Sequence, residues 1–274
     1  DHMEVKRICA LYFSPTDNTR RVVCAAANAL AKHYQLPCEE ISITLPQERV
    51  EHDFGAGDLV VIGAPTYAGK LPNKLLPYFQ SGLHGNGALA VAVATYGNRS
   101  FDNSLAELCA VLEADGFHTA AGGAFVGTHA FSDALAPGRP GEDDLREIDQ
   151  FAAAIAEKLD RAEGIPAPVA VDGDAAAPYY VPKGTDGAPA KFLKAAPKTD
   201  PEKCTRCGLC ASQCPMGSIS ADDPSVITGV CIKCQSCIRK CPQHAKYFDD
   251  AAFLSHVRML EQNFTRRAEN KTFL

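Results

Sequence analysis

The sequence predicts an α/β protein in two parts, a doubly wound domain with a parallel sheet and a small cysteine-rich α+β domain. Two observations carry this prediction. Strand-like and helix-like segments alternate five times over roughly the first 160 residues. Beyond a proline- and glycine-rich stretch, most of the 12 cysteines fall into two regular runs. A chain of 274 residues is long enough for two domains.

Five apolar segments rich in β-branched and small residues predict the strands of the first domain. They are Val5–Phe13, Cys38–Ile43, Asp58–Ala64, Ala88–Thr95 and Ala120–Gly127. Segments with helical periodicity lie between and after them, at Thr19–Tyr34, Leu75–Gln80, Ser104–Asp115 and Asp143–Ala162. This alternation predicts a parallel five-stranded sheet, which binds ligands beyond the carboxyl ends of its strands.

The composition along the chain predicts the domain boundaries. Residues 4–163 form the first domain, and residues 164–197, with six prolines and four glycines, form an extended linker. Residues 198–249 contain the cysteine runs. Residues 250–274 form a C-terminal helix and tail. Apolar residues on one face predict that this helix covers Asp250–Glu269 and either covers exposed core or fixes one domain to the other.

The pattern C-x2-C-x2-C-x3-C-P occurs twice, and it is the bacterial run that binds [4Fe–4S] clusters. In such pairs, three close thiolates bind one cluster and the fourth cysteine reaches the other. The first predicted ligand set is Cys204, Cys207, Cys210 and Cys241. The second predicted set is Cys231, Cys234, Cys237 and Cys214.

Zinc and a disulfide framework are the alternatives for these cysteines. Structural zinc sites use CxxC pairs separated by a longer loop and often include histidine, which this pattern lacks. Neighbouring cysteines in a C-x2-C-x2-C run cannot all form useful disulfides. The cluster prediction is therefore favoured over both.

Three loops follow predicted strands at the edge where a ligand would bind. The first leaves a strand and opens a helix, so its hydroxyls and N–H groups could bind a phosphate or could only cap the helix. The other two each carry a tyrosine, and two such rings could enclose a flat heterocycle. The loops are Ser14–Thr19, Ala64–Lys70 and Thr95–Phe101.

These loops resemble those of flavodoxins, which hold FMN in a five-stranded sheet of order 2-1-3-4-5. Together with the cysteine runs, nearly the whole chain resembles flavodoxin–ferredoxin fusions with two clusters. The resemblance implies FMN contacts from Ser14, Thr16, Asp17, Asn18, Thr19, Pro65, Thr66, Tyr67, Ala68, Gly69, Thr95, Tyr96, Gly97, Asn98 and Arg99. Tyr67 and Tyr96 would flank the isoalloxazine ring. Flavodoxins usually have glycine at the position of Asp17. A carboxylate beside a phosphate is unfavourable, so we expect that of Asp17 to turn outward or to cap the helix.

Direct NAD(P) binding is the competing interpretation of the sheet. Gly55-x-Gly57 and Gly85-x-Gly87 both precede strands, whereas a dinucleotide fingerprint follows a strand and opens a helix. His129, after the fifth strand, could approach a cofactor but is predicted to be a solvated loop residue.

The net charge of −6 argues against a nucleic-acid surface, and no apolar run is long enough to span a membrane. Asp1-His2 is interpreted as a cleavage scar before Met3 and no signal peptide is predicted. Free thiols and exposed clusters favour a reducing cytoplasm and anaerobic metabolism.

Together these features predict an electron-transfer protein with FMN, two [4Fe–4S] clusters and a redox partner protein. The alternative is an FMN-dependent reductase of a small molecule or of another metalloenzyme's cofactor. No catalytic acid–base pair is evident in the sequence, so no catalytic residue is assigned.

Overall fold

A computed structural model describes residues 3–274, and the predicted scar at Asp1 and His2 lies outside it. The strands are β1 Arg7–Tyr12, β2 Cys38–Ser42, β3 His52–Asp53, β4 Asp58–Pro65, β5 Leu83–His84, β6 Leu89–Tyr96, β7 His118–Val126, β8 Lys198–Thr199, β9 Lys246–Tyr247 and β10 Lys271–Phe273. The helices are α1 Asn18–Tyr34, α2 Leu76–Ser81, α3 Ser104–Ala114, α4 Glu142–Arg161, α5 Leu209–Ser212, α6 Ser236–Lys240 and α7 Ala251–Asn263.

The main sheet has the order β10-β7-β6-β4-β1-β2. Its five strands from the first part of the chain are all parallel and follow the predicted order 2-1-3-4-5. The doubly wound prediction is therefore confirmed. The sequence did not predict the sixth strand: β10 comes from the C-terminal tail and pairs antiparallel with β7.

Two apolar layers cover the sheet, because buried side chains point alternately to its two faces. One layer packs against α1 and α4, and the other against α2 and α3. Gly63 in β4 lets α1 approach closely, because a Cβ atom there would lie 2.3 Å from Val23 Cγ2. This close approach places the start of α1, and the loop before it, beside the carboxyl end of β4.

The predicted linker has no helix or strand between Arg161 and Lys198, but it packs along the first domain. The Val169 N–H donates to the Thr119 carbonyl, and the Tyr180 N–H donates to the Ala68 carbonyl. Leu193 in the same stretch is 89% exposed. The domain boundaries remain predictions.

The cysteine-rich part contains the antiparallel pair β8–β9 and the short helices α5 and α6. Two arginines connect it to the first domain. Arg49 donates to the Pro215 carbonyl at 2.6 Å, and Arg239 donates to the His129 carbonyl at 2.6 Å. Both bonds reach backbone carbonyls, and Arg239 also forms an ion pair with Asp133 at 2.7 Å.

The C-terminal helix is shorter than predicted, because α7 ends at Asn263 rather than at Glu269. The Asn98 side chain binds the chain beyond this point, donating to the carbonyls of Phe264 and Arg266 and accepting from the Ala268 N–H. These bonds draw the chain out of the helix toward the edge of β7. No helix within residues 3–274 is long and apolar enough to cross a membrane.

Candidate flavin cavity and cluster sites

The three predicted loops meet around a single cavity of about 240 Å³ beyond the carboxyl ends of β1, β4 and β6. Thirteen of the fifteen predicted FMN contacts line it: Ser14, Thr16, Asn18, Thr19, Pro65, Thr66, Tyr67, Ala68, Gly69, Thr95, Tyr96, Gly97 and Arg99. The structure thus brings together residues from three separate parts of the sequence. Their roles as FMN contacts remain predictions.

The loop before α1 offers donors at one end of this cavity. The Ser14 hydroxyl accepts the Arg20 N–H at 3.0 Å, so its own proton is free to donate. The Thr19 hydroxyl is buried and pairs with that of Thr95 at 2.6 Å. Because the N-terminus of a 17-residue helix also points here, this end suits an anionic phosphate.

Two predicted contacts do not line the cavity. Asp17 turns its side chain outward to an ion pair with Arg20 at 3.4 Å, and 54% of it is exposed. It makes no side-chain cap to the helix, so the capping alternative is wrong. Its φ of 76° lies in the left-handed region, which favours glycine. Asn98 instead binds the C-terminal tail.

The two tyrosines have different surroundings. Tyr96 donates its hydroxyl to the Glu269 carbonyl at 2.5 Å and packs against Phe101. Burial raises the pKa of Tyr67 well above its usual value, and the sulfurs of Cys234 and Cys231 raise it further. Tyr67 lines this cavity and also lines a neighbouring cleft together with Cys231 of the second cysteine run.

Residues that the sequence did not assign to the site form the rest of the cavity wall. They are Pro15, Ser100 and Gly127–Phe131 from the first domain, Tyr180, Pro182 and Phe192 from the linker, Ile232 and Lys233 from the second cysteine run, and His256 and Leu260 from α7. The apolar pairs Tyr179-Tyr180 and Phe192-Leu193 within the linker are the one sequence signal that could have found some of them. These parts of the chain cover the flank of the cavity that the three loops leave open.

His129 lies in this wall, so the prediction of a solvated loop residue is wrong. Burial, with smaller contributions from His256 and Arg239, lowers its pKa to about 3, so the imidazole is neutral at pH 7. Its Nδ1 accepts the Phe131 N–H at 3.0 Å, which leaves Nε2 as the protonated nitrogen. The wall therefore presents a neutral donor rather than a charge.

The cysteines fall into the two predicted sets. One cavity is lined by Cys204, Cys207, Cys210 and Cys241, and a separate one by Cys214, Cys231, Cys234 and Cys237. This grouping matches the crossed ligand assignment, in which each run sends its fourth cysteine to the other site. The assignment itself remains a prediction.

The two runs share one backbone conformation, as expected of a repeated binding loop. Left-handed residues occur two and four positions after the first cysteine of each run, at Arg206 and Gly208 and at Lys233 and Gln235. They curl the chain so that backbone N–H groups reach sulfur. The donors are Arg206 to Cys204 and Lys233 to Cys231 in the first half of each run, and Ser218 to Cys214 and Ala245 to Cys241 in the second. Such bonds stabilise thiolates that bind iron, so the residues present fit two cubanes.

We call the cavity formed by the three loops the flavin cavity. Ile232 and Lys233 line both this cavity and the cavity of Cys214, Cys231, Cys234 and Cys237. None of the residues around the other cluster cavity lines the flavin cavity. Three features make the cavity suitable for FMN. They are the donor loop at one end, the tyrosines along its length and its position beside a cluster cavity. The cluster of the second run is thus the one beside the candidate flavin site.

Comparison with known proteins identifies both cysteine runs. Family models described as 4Fe-4S binding domains match residues 197–220 and residues 228–248. Both runs therefore belong to 4Fe-4S binding domains, as predicted, and the protein has a redox role. No curated protein matches the chain.

Several solved structures resemble part of the chain. A flavodoxin from the domain Archaea is 16% identical with a TM-score of 0.40, covering 57% of this chain and 100% of its own. A flavodoxin from Streptococcus pneumonia is 20% identical with a TM-score of 0.39, covering 55% and 97%. The apo form of NADH:FMN oxidoreductase (EMOB) is 18% identical with a TM-score of 0.41, covering 58% and 91%.

Proposed function

Because the chain joins a flavodoxin-like sheet to two 4Fe-4S binding domains, we propose that it is an electron-transfer protein carrying FMN and two [4Fe–4S] clusters. Electrons pass between the flavin and the clusters within one polypeptide and then to or from a redox partner protein. FMN supplies exchange of one or two electrons, whereas each cluster exchanges one.

The observation that carries this proposal is the pair Ile232 and Lys233, which forms the wall between the flavin cavity and the cluster cavity of the second run. Because the same two residues line both cavities, the two sites are adjacent, which makes a direct exchange possible. The fusion also replaces a diffusional encounter by a fixed, high effective concentration. The residues of the first run stand apart from the flavin, and Cys207 is exposed. A cluster bound there would exchange electrons at the surface.

Covering of the flavin cavity supports a carrier over the alternative reductase. Tyr180, Phe192 and His256 line the flank of the cavity that the three loops leave open. Phe192 stacks on His256 with ring centroids 5.5 Å apart, and His256 Nδ1 donates to the Lys183 carbonyl at 2.8 Å. These contacts tie the linker to α7 and so hold the cover in place.

The test uses protein purified without oxygen. We expect one FMN and about eight iron and eight sulfide per chain. After flash reduction of the flavin, its absorbance should recover while the clusters bleach, at a rate that does not depend on protein concentration. A rate that rises in proportion to concentration would mean that electrons pass between molecules, and the proposal would be wrong.

A matched pair of variants refines the same test. Cys234→Ser removes a ligand beside the flavin cavity and should abolish the fast transfer. Cys207→Ser, the equivalent position in the first run, should leave it in place. Equal loss in both variants would contradict the proposed route.

A further inference from the structure

A second and larger cleft, of about 850 Å³, adjoins the flavin cavity, and the two share the lining residues Tyr67, Ala68, Pro182, Phe192, Ile232 and Lys233. Its walls come from the loop before α2, from the linker and from the start of the second cysteine run. We call it the lysine cleft after the four lysines that line it, Lys74, Lys191, Lys194 and Lys233. No aspartate or glutamate within residues 3–274 lines it.

Three of these lysines are free to bind a partner. Lys74, Lys191 and Lys194 are exposed, and their side chains make no ion pair or hydrogen bond with any residue in the described part of the chain. Lys233 is engaged, because its ammonium donates to the carbonyls of Leu193 and Cys231. The cleft is therefore a positive surface on a chain whose net charge is −6.

Apolar side chains project into solvent near the same surface. Leu193 is 89% exposed, Val230 50% and Tyr179 40%, and all three line the cleft. Large apolar side chains grouped beside unpaired charges mark a surface that another protein covers. A small anionic ligand would instead be enclosed by apolar walls that do not project outward.

Cys231 and Tyr67 also line the lysine cleft, so its floor reaches the second-run cluster site. From these features, and resting on the function proposed above, we propose that the lysine cleft is the docking site of an electron-transfer protein with an acidic surface. That partner exchanges electrons with the cluster bound by the second run. One electron leaves the partner's reduced iron–sulfur centre, and the same electron reduces the oxidised cluster. No bond is made or broken.

This site differs from the exposed edge of the first-run cluster, since Cys207 does not line the cleft. The chain then has two faces for exchange, and the face at the cleft selects a partner by negative charge. Attraction between exposed charges is screened over about 10 Å at 0.1 M salt, so docking there depends on ionic strength.

The probe for this proposal is a reduced plant-type [2Fe–2S] ferredoxin with a strongly acidic surface, mixed anaerobically with the intact holoprotein in a stopped-flow instrument. The variant is K74Q/K191Q/K194Q. The control K6Q/K32Q/R161Q changes the net charge equally. Its residues lie before β1 and near the C-terminal ends of α1 and α4, which places them at the opposite end of the sheet.

Charge steering raises association rates by about 10- to 1,000-fold. We therefore expect the cleft variant to be reduced at least about ten-fold more slowly at low salt, and the control variant within two-fold of the unchanged protein. The difference should vanish at high salt. Equal rates for both variants, or a rate for the unchanged protein that salt does not alter, would overturn the proposal.

Reduction by photoreduced deazaflavin, an uncharged small donor, separates this proposal from the function on which it rests. Normal deazaflavin reduction and normal flavin-to-cluster transfer in both variants, with slow ferredoxin reduction in the cleft variant only, supports the docking site. If flavin-to-cluster transfer fails in the unchanged protein, the proposed function is wrong. If only the ferredoxin arm shows no charge dependence, the docking site alone is wrong.

Discussion

Replacing Asp144 by asparagine should detach the C-terminal tail from the main sheet. Asp144 is only 1% exposed and accepts two hydrogen bonds from Arg139, at 2.7 and 3.1 Å. It also accepts from the Gly141 N–H and from the Asn270 side chain, both at 2.9 Å. Arg139 in turn donates to the Ala268 carbonyl at 2.5 Å. This buried pair therefore connects the start of α4 to the tail that forms β10.

Two estimates give the magnitude. Burial raises the pKa of Asp144, but the bonds from Arg139 and its neighbours outweigh that effect and lower it to about 2. Against a usual value of 3.8, this shift corresponds to about 2 kcal/mol of stability. That contribution is complete above pH 3.8 and is lost as the pH falls through 2. Removing one partner of a buried pair costs more, about 3–5 kcal/mol, because Arg139 is left buried without its counter-charge.

The larger cost applies to this substitution. An asparagine at this position would turn either its NH2 group or a single acceptor oxygen toward the Arg139 guanidinium, in place of two charged acceptors. The assay is hydrogen exchange of the amides of residues 264–274, which reports local opening. At 3 kcal/mol or more, exchange should become at least about a hundred-fold faster. Asp143→Asn is the control, because Asp143 is one position away with 69% of its side chain exposed. Unchanged exchange in the Asp144 variant would refute the reasoning.

Three further predictions concern the cofactor sites. Cys214→Ala should lower iron from about eight to about four per chain by damaging the second-run cluster; loss of only the first-run cluster would contradict the crossed assignment. Asp17→Gly should tighten FMN binding, because it removes a carboxylate near the phosphate end, and should add about 1 kcal/mol of stability, because it removes a left-handed non-glycine residue. Asp17→Ala keeps the Cβ atom and should tighten binding without the gain in stability. Titration with FMN and thermal unfolding measure the two effects. Replacing Thr16 and Thr19 together by valine should reduce FMN retention on gel filtration, and unchanged retention would place the phosphate elsewhere.

Much of the site follows from local sequence patterns. The cysteine spacing identified the cluster domains, because three ligands of each cluster lie within seven residues of one another. The strand–helix alternation predicted the parallel doubly wound sheet, the resemblance to flavodoxins supplied its strand order, and the loops after its strands predicted most of the cavity lining. Each of these inferences uses residues that are close in the chain or that follow a rule about strand ends.

Other features depended on contacts between distant residues. Asn98 looked like a flavin contact by its place in a loop, yet its amide holds a tail about 170 positions later in the chain. The strand β10 was missed because three residues carry too weak a pattern, and the edge of β7 supplies its hydrogen bonds.

The sequence alone determined that this chain has cluster ligands and a doubly wound sheet, since both are written in short repeating patterns. Only the tertiary structure decided which cysteine run lies beside Tyr67, because the two runs have the same spacing and differ only in how the chain folds back. It also decided that the linker and α7 cover the flavin cavity, because burial of Phe192 and His256 requires surfaces formed by other parts of the chain.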